Sequence, residues 1–261
     1  MNSENLGGVV ITGAARGIGL AIAQVLARTG YGVVIADLDD AAGAKAAAEV
    51  KSNGGKALYC TVDVSDRSSV AASVKACEDT FGFIHAIVNN AGICRPQHFL
   101  DTTEENWDRI IKINGLGVLI GMQEAAKAMI AAGRKGKIVN TASVASRSGD
   151  AEWVSYCASK AAVVSMTQAG AKALATHGIN VNAFAPGLVQ TDLWSQTDKD
   201  LINLGVTSRP GEAMENFSKK IPLGRTSTPK DVVGTVAFLI SPASDYMTGQ
   251  CLMIDGGVVM Q

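Results

Sequence analysis

Seven short runs of aliphatic and β-branched residues recur along the chain, each followed by a longer stretch with helical spacing, and this alternation limits the fold more than any other feature. The runs are GVVIT (8–12), GVVIAD (32–37), KALYCTV (56–62), IHAIVNN (84–90), GKIVNTAS (136–143), INVNAFAP (179–186) and QCLMID (250–255). They are nearly unbroken in hydrophobicity, as strands buried on both faces must be. Segments 17–29, 41–53, 66–81, 103–132, 153–177 and 229–241 carry apolar residues at helical spacing, two of them opened by Asp66 and by the run Thr102-Thr103-Glu104-Glu105. Strand–helix repetition calls for parallel strands joined by right-handed crossovers. The expected architecture is α/β: a doubly wound, seven-stranded parallel sheet of the Rossmann type with helices on both faces. Residues 1–261 read as a single dinucleotide-binding catalytic domain. Segment 188–228 contains Pro210 and Pro222 and is too long for an ordinary connection, so it is expected to be an irregular lid over a binding site.

Composition narrows the classes of function. A formal net charge of −1 provides no basic surface for nucleic acid, and no apolar run approaches the roughly 20 residues needed to span a bilayer. The opening MNSENLGG lacks the charged and apolar regions of a signal peptide, which predicts a cytoplasmic protein. The cysteines Cys60, Cys77, Cys94, Cys157 and Cys251 and the histidines His85, His98 and His177 show no metal-ligand spacing, so reduced thiols and no metal are expected.

Ligands of such sheets bind beyond the carboxyl ends of the strands, and the distinctive motifs fall there. TGAARGIG (12–19) follows the first strand and leads into a helix. Gly13 permits the tight turn, Gly17 lets the backbone approach a pyrophosphate, and Gly19 allows close helix–strand contact; Arg16 and Ile18 complete the loop. Asp37 ends the second strand, where a carboxylate accepts hydrogen bonds from ribose hydroxyls and repels a 2′-phosphate, favouring NAD over NADP. Arg16 either offsets that repulsion or is an exposed residue at the helix start. Asp63 either meets the adenine amino group or caps the next helix alongside Asp66.

Tyr156 and Lys160 stand four apart in SYCASKAA, one above the other on a helix. Free tyrosine, with a pKa near ~10, is too weakly acidic to act as a base at neutral pH, and a nearby ammonium favours its phenolate.

Together, TGAARGIG, NNAG (89–92), Asn114 in KINGLG, Ser143 in NTAS, YCASK (156–160) and APGLVQT (185–191) make the chain resemble the short-chain dehydrogenase/reductase family over nearly its whole length. The resemblance implies a nicotinamide-dependent oxidoreductase without a catalytic metal, assembled as a homotetramer. It implies that Tyr156 is the general acid–base, Lys160 its activator and a holder of the nicotinamide ribose, Ser143 the partner of the substrate oxygen, and Asn114 the anchor of a proton-feeding water. It further places Asn90 along the cofactor, Asp63 and Val64 near adenine, and Pro186, Gly187, Val189 and Thr191 near the carboxamide. The small-residue helix 161–175 is apolar on more than one face, which predicts self-association.

Substrate contacts are expected from ICRPQH (93–98), VASRSGDAEW (144–153) and the lid. Arg147, Asp150 and Glu152 are candidates for binding hydroxyl groups, Glu152 alternatively favouring the start of the tyrosine's helix. Trp194 is either an apolar cover over a small substrate or a core or interface residue. The middle loop offers no broad apolar wall for a steroid or long acyl chain. The segments VVSMTQAGAKALATHGINVNAFAPGLVQTDLW and SPASDYMTGQCLMIDGG look like those of sorbitol and galactitol dehydrogenases and of acetoin reductases acting on 2,3-butanediol. The expected reaction is NAD-dependent interconversion of a secondary hydroxyl and a ketone on a small polyol or vicinal diol. The alternatives are an NADP-dependent 3-oxoacyl reductase and, in another class, a non-catalytic nucleotide-sensing protein.

Overall fold

A computed structural model describes residues 5–260; the part of the signal-peptide reading that concerns Met1–Glu4 lies outside them. The strands are β1 (Gly8–Thr12), β2 (Gly32–Asp37), β3 (Lys56–Thr61), β4 (Ile84–Asn89), β5 (Gly136–Thr141), β6 (Ile179–Pro186) and β7 (Cys251–Ile254). They form a seven-stranded sheet in the order β3-β2-β1-β4-β5-β6-β7, with every neighbouring pair parallel. The order reverses between β1 and β4, which opens a crevice at their carboxyl ends. Buried clusters cover both faces: Val10, Val34, Ile87 and Ile138 on one, Val9, Ile11, Ile35 and Phe184 on the other.

The helices are α1 (Gly17–Arg28), α2 (Asp40–Ser52), α3 (Arg67–Phe81), α4 (Glu104–Ile111), α5 (Gly117–Ala131), α6 (Val154–Leu174), α7 (Asp192–Asn203), α8 (Glu212–Ser218) and α9 (Pro229–Ile240). Asp66 caps α3 by accepting from the Ser68 N–H at 2.9 Å, and Thr103 caps α4 through Asn106. The single helix expected over 103–132 is interrupted by a π turn at Lys112–Leu116, centred on Asn114.

Segment 188–228 is not irregular: it carries α7 and α8. Its ends are stitched together, with Ser227 N–H donating to Leu188 O at 3.0 Å and Gln190 N–H to Ser227 O at 2.9 Å. The segment therefore leaves the body and returns at one point, and two further contacts fasten it. His98 Nε2 lies 3.1 Å from Leu204 O, and Gly211 N–H donates to Asp198 at 2.8 Å.

Below the crevice, a polar chain crosses the core. Asn89 Nδ2 donates to Asn140 Oδ1 at 2.8 Å, and Asn140 Nδ2 donates to Thr167 Oγ1 at 3.0 Å. Gly121 on α5 makes room for it, because a Cβ there would stand 2.0 Å from Asn89 Oδ1. Gly121→Ala therefore either breaks the chain or pushes α5 outward. Overpacking of this kind costs about 2 kcal/mol, and the variant is expected to melt about 5 °C lower by calorimetry. An unchanged Tm would show that α5 yields without cost.

Candidate active site

A cavity of about 690 Å³ opens along the carboxyl ends of the strands. At one end lie Asp37, Leu38, Asp63 and Val64; Gly13, Arg16, Gly17, Ile18 and Asn90 line its middle. Gly13 and Gly17 have φ of +64° and +58°, a region that other L-residues rarely adopt. A Cβ on Gly19 would stand 2.4 Å from Gly13 O, so Gly19 serves the packing of α1 on the loop and does not itself line the cavity. Asn90 Nδ2 donates to Thr12 O at 3.0 Å and Gly13 O at 3.2 Å, which fixes the loop across the crevice.

The Asp37 carboxylate is aimed by the backbone, accepting from Ala15 N–H at 3.0 Å and Asp39 N–H at 3.1 Å. Arg16 occupies the N-cap position of α1 and pairs with Asp39 on the exposed rim. This exposed pair holds Arg16 at the cavity rim beside Asp37. Asp63 lines the cavity and accepts from the Ser65 N–H and Oγ–H, both at 2.8 Å; the cap of α3 is Asp66 alone.

At the opposite end the cavity is lined by Ser143, Tyr156, Lys160, Pro186, Gly187, Val189 and Thr191. Tyr156 and Lys160 share a face of α6, with the ammonium 5.6 Å from the phenol ring centroid. Ser143 stands beside the Tyr156 phenol and favours its phenolate. Lys160 is buried and donates to Thr141 O at 2.8 Å. Asn114 is wholly buried behind this group and does not line the cavity. Its side chain clasps the backbone of Ile93, accepting from N–H and donating to C=O at 2.9 Å each, and donates to Ser159 Oγ at 3.2 Å.

The substrate candidates divide. Asp150 and Trp194 line the cavity. Arg147 does not: it follows a short helical turn at Val144–Ser146 and lines a neighbouring hollow. Glu152 lies off the cavity and stands just before the N-cap Trp153, at the start of the tyrosine's helix, where its charge raises the Asp150 carboxyl. Cys94, Trp153, Thr197, Phe217, Val258 and Val259 line the cavity without having been singled out. Cys94 and Trp153 belong to the loops expected to face substrate, and Thr197 and Phe217 to the lid. No feature of the sequence pointed to the two valines.

A family model described as enoyl-(acyl carrier protein) reductase matches residues 13–259. The chain is 44% identical to galactitol 2-dehydrogenase of Agrobacterium fabrum, over 95% of each protein. It is 39% identical to an (S)-acetoin-forming diacetyl reductase of Staphylococcus epidermidis, over 96% of this chain and 97% of that protein. A solved short-chain type dehydrogenase/reductase from Mycobacterium marinum superposes with a TM-score of 0.88 at 36% identity, covering 98% of this chain and 96% of that one.

This chain belongs to the short-chain dehydrogenase/reductase family. It is an oxidoreductase that interconverts a hydroxyl and a ketone on a small molecule with a nicotinamide cofactor. The cavity suits that cofactor: the glycine cradle admits backbone approach, an aimed carboxylate stands at one end, and Thr141 Oγ1 is buried on the cavity wall without a partner.

The electrostatics of this short-chain dehydrogenase/reductase differ from the simple expectation that Lys160 holds the Tyr156 phenol down. In the chain alone, burial raises Tyr156 above its ordinary value, opposed by Ser143. Burial also lowers Lys160 to about 8. Unfolded lysine titrates near ~10.4, so between pH 8 and 10.4 the unfolded chain binds the extra proton and this group adds stability as pH rises. Wild type is thus expected to gain on Lys160→Met in urea unfolding between pH 7.5 and 9.5. A constant difference would contradict the buried, depressed ammonium.

Proposed function

We propose that this protein is an NAD-dependent dehydrogenase that oxidises one secondary hydroxyl of a small polyol or vicinal diol to the ketone, and reduces the ketone in reverse. Asp37 carries the choice of NAD: its carboxylate is fixed by two N–H donors at the cavity end remote from Tyr156, and Arg16 is held by Asp39 on the exposed rim. The substrate class is supported by the likeness to proteins named for galactitol and diacetyl.

In this reading Gly13, Arg16, Gly17 and Ile18 hold the pyrophosphate, with Gly19 shaping their turn. Asp37 holds the adenosine ribose, Asp63 and Val64 flank adenine, and Asn90 runs along the cofactor. Lys160 and Tyr156 hold the nicotinamide ribose, while Pro186, Gly187, Val189 and Thr191 contact the carboxamide. When bound, the oxidised nicotinamide supplies the hydride acceptor and a positive charge beside the phenol. Tyr156 takes the substrate hydroxyl proton, Ser143 donates a hydrogen bond to the oxygen as it becomes carbonyl, and Lys160 passes the proton onward past Asn114. The π turn around Asn114 supports that last role, since such turns recur at functional sites. The segment 188–228 acts as the lid, and residues 1–261 work as one catalytic domain.

The reading also includes a homotetramer in the cytoplasm. No helix among the described residues is long and apolar enough to cross a membrane. On α6, Ala161, Ser165 and Ala169 leave a small-residue face exposed, and Leu100 and Trp107 are exposed apolar residues in 99–111. Light scattering is expected to give four chains; a stable monomer would overturn this part.

The test is NAD⁺ and NADP⁺ reduction, followed by absorbance, with galactitol, sorbitol, the 2,3-butanediol isomers and a 3-hydroxyacyl thioester. Turnover of a polyol or diol with NAD⁺ is expected. Turnover of the thioester alone, with NADP⁺, would replace this reading by that of an acyl-thioester reductase.

A further inference from the structure

Three aromatic rings from separate segments meet on the cavity wall. Phe217 on α8 lies 5.8 Å from Trp194 on α7, edge-on at 83°, and 5.9 Å from Trp153, which precedes α6. Both indole Nε1 atoms are buried without a partner, so this wall presents ring surface and no indole donor to an incoming group. Asp150, an exposed residue, lines the same cavity where it borders the neighbouring hollow. Burial raises its carboxyl, and the negative Glu152 raises it further; it is a carboxylate short of positive charge.

The two cavity-lining cations do not supply that charge, because Arg16 is paired with Asp39 and Lys160 is bonded to Thr141 O. One ammonium is already drawn to the box from outside the cavity. Lys220 Nζ lies 5.5 Å from the Phe217 ring centroid and attracts the Asp150 carboxylate. Aromatic faces beside a carboxylate form the arrangement that binds ammonium groups.

We propose that Asp150, Trp153, Trp194 and Phe217 make the substrate end selective by charge, admitting secondary alcohols with a neighbouring ammonium group, the vicinal amino alcohols, and rejecting carboxylates of similar size. This rests on the reading of the site as a secondary-alcohol dehydrogenase. In the added reaction the carbinol C–H bond gives its hydride to the oxidised nicotinamide cofactor, the O–H proton passes to Tyr156, a C=O bond forms, and the ammonium is unchanged. The Asp150 carboxylate holds that ammonium against the rings of the box.

The test measures ligand binding by calorimetry at pH 7.5 on the NAD⁺-saturated Tyr156→Phe protein, whose turnover is expected to be about 10³-fold slower. The probes are 3-amino-2-butanol, 2,3-butanediol and 3-hydroxybutanoate. The amino alcohol is expected to bind about tenfold tighter than the diol, and the carboxylate weaker than either, as an ion pair with ring contacts implies. Adding Asp150→Asn is expected to bring amino alcohol and diol within about twofold of each other; adding Glu152→Gln gives a smaller change in the same direction. Equal binding of the amino alcohol and diol before these changes, or an advantage that survives Asp150→Asn, overturns the proposal. Wild-type failure to oxidise 2,3-butanediol, with this order of binding intact, would count against the diol reading and leave the charge selection standing.

Discussion

Tyr156→Phe is expected to lower kcat about 10³-fold while the protein still binds NADH. The sequence puts Tyr156 on α6, one turn before Lys160, and folding sets the half-buried phenol on the cavity wall with Ser143. The substitution removes one oxygen and leaves the ring, so α6 keeps its packing. What is lost is the group that exchanges a proton with the substrate oxygen, and a positioned acid–base contributes about 10²–10⁴ in rate. Because burial alone raises the phenol, its conversion to phenolate depends on positive charge arriving beside it. The expected pattern is therefore a collapse of kcat with little change in NADH affinity, read by stopped-flow turnover and fluorescence titration. A variant that keeps a tenth of wild-type kcat would remove Tyr156 from the mechanism and revive a non-catalytic, nucleotide-sensing role.

Asp37→Ala is expected to lower kcat/KM for NAD⁺ about a hundredfold and to leave NADP⁺ as good a substrate as NAD⁺, or better. Two charge-assisted hydrogen bonds to ribose hydroxyls contribute about 3 kcal/mol together, which is about two powers of ten. The carboxylate is already oriented by Ala15 and Asp39 N–H, so wild type spends little ordering it on binding. Removing it also removes the repulsion of a 2′-phosphate and leaves Arg16 close by. Parallel kcat/KM measurements for both cofactors decide the matter. An unchanged preference would move discrimination elsewhere in the loop, and loss of both activities together would indicate damage to the fold.

The strands were readable because parallel strands are buried on both faces and so appear as unbroken aliphatic runs. The runs at 8–12, 32–37 and 179–186 coincide with β1, β2 and β6 to the residue. The π turn at Asn114 was not readable, since the extra residue it absorbs leaves the helical pattern on both sides nearly intact. The helices of the lid were hidden for a different reason. Much of α7 and α8 is exposed and polar, as in Gln196, Lys199 and Glu215, and little of either is driven inward to mark a period. In the site, residues fixed by backbone geometry were legible: glycines at positive φ, Asp37 at a strand end, and Tyr156 and Lys160 one turn apart. Side chains beyond Ser143 were not. After the short turn at 144–146, Asp150 reaches the cavity edge while Arg147 lines only the neighbouring hollow, and spacing carries no trace of it. The meeting of Trp153 with Phe217 is likewise a product of tertiary folding, because α8 reaches that point only after the lid has closed on its own base at Ser227.

The central claim, hydride transfer from a secondary carbinol to NAD⁺, is tested most directly by following the label. Wild-type protein is given 2,3-butanediol deuterated at both carbinol carbons, with NAD⁺, and the reduced cofactor is examined by mass spectrometry. The account predicts one deuterium per NADH formed, slower turnover than with unlabelled diol, and the hydroxyketone as product. NADH without deuterium, or the hydroxyketone formed with no deuterated NADH, would contradict it.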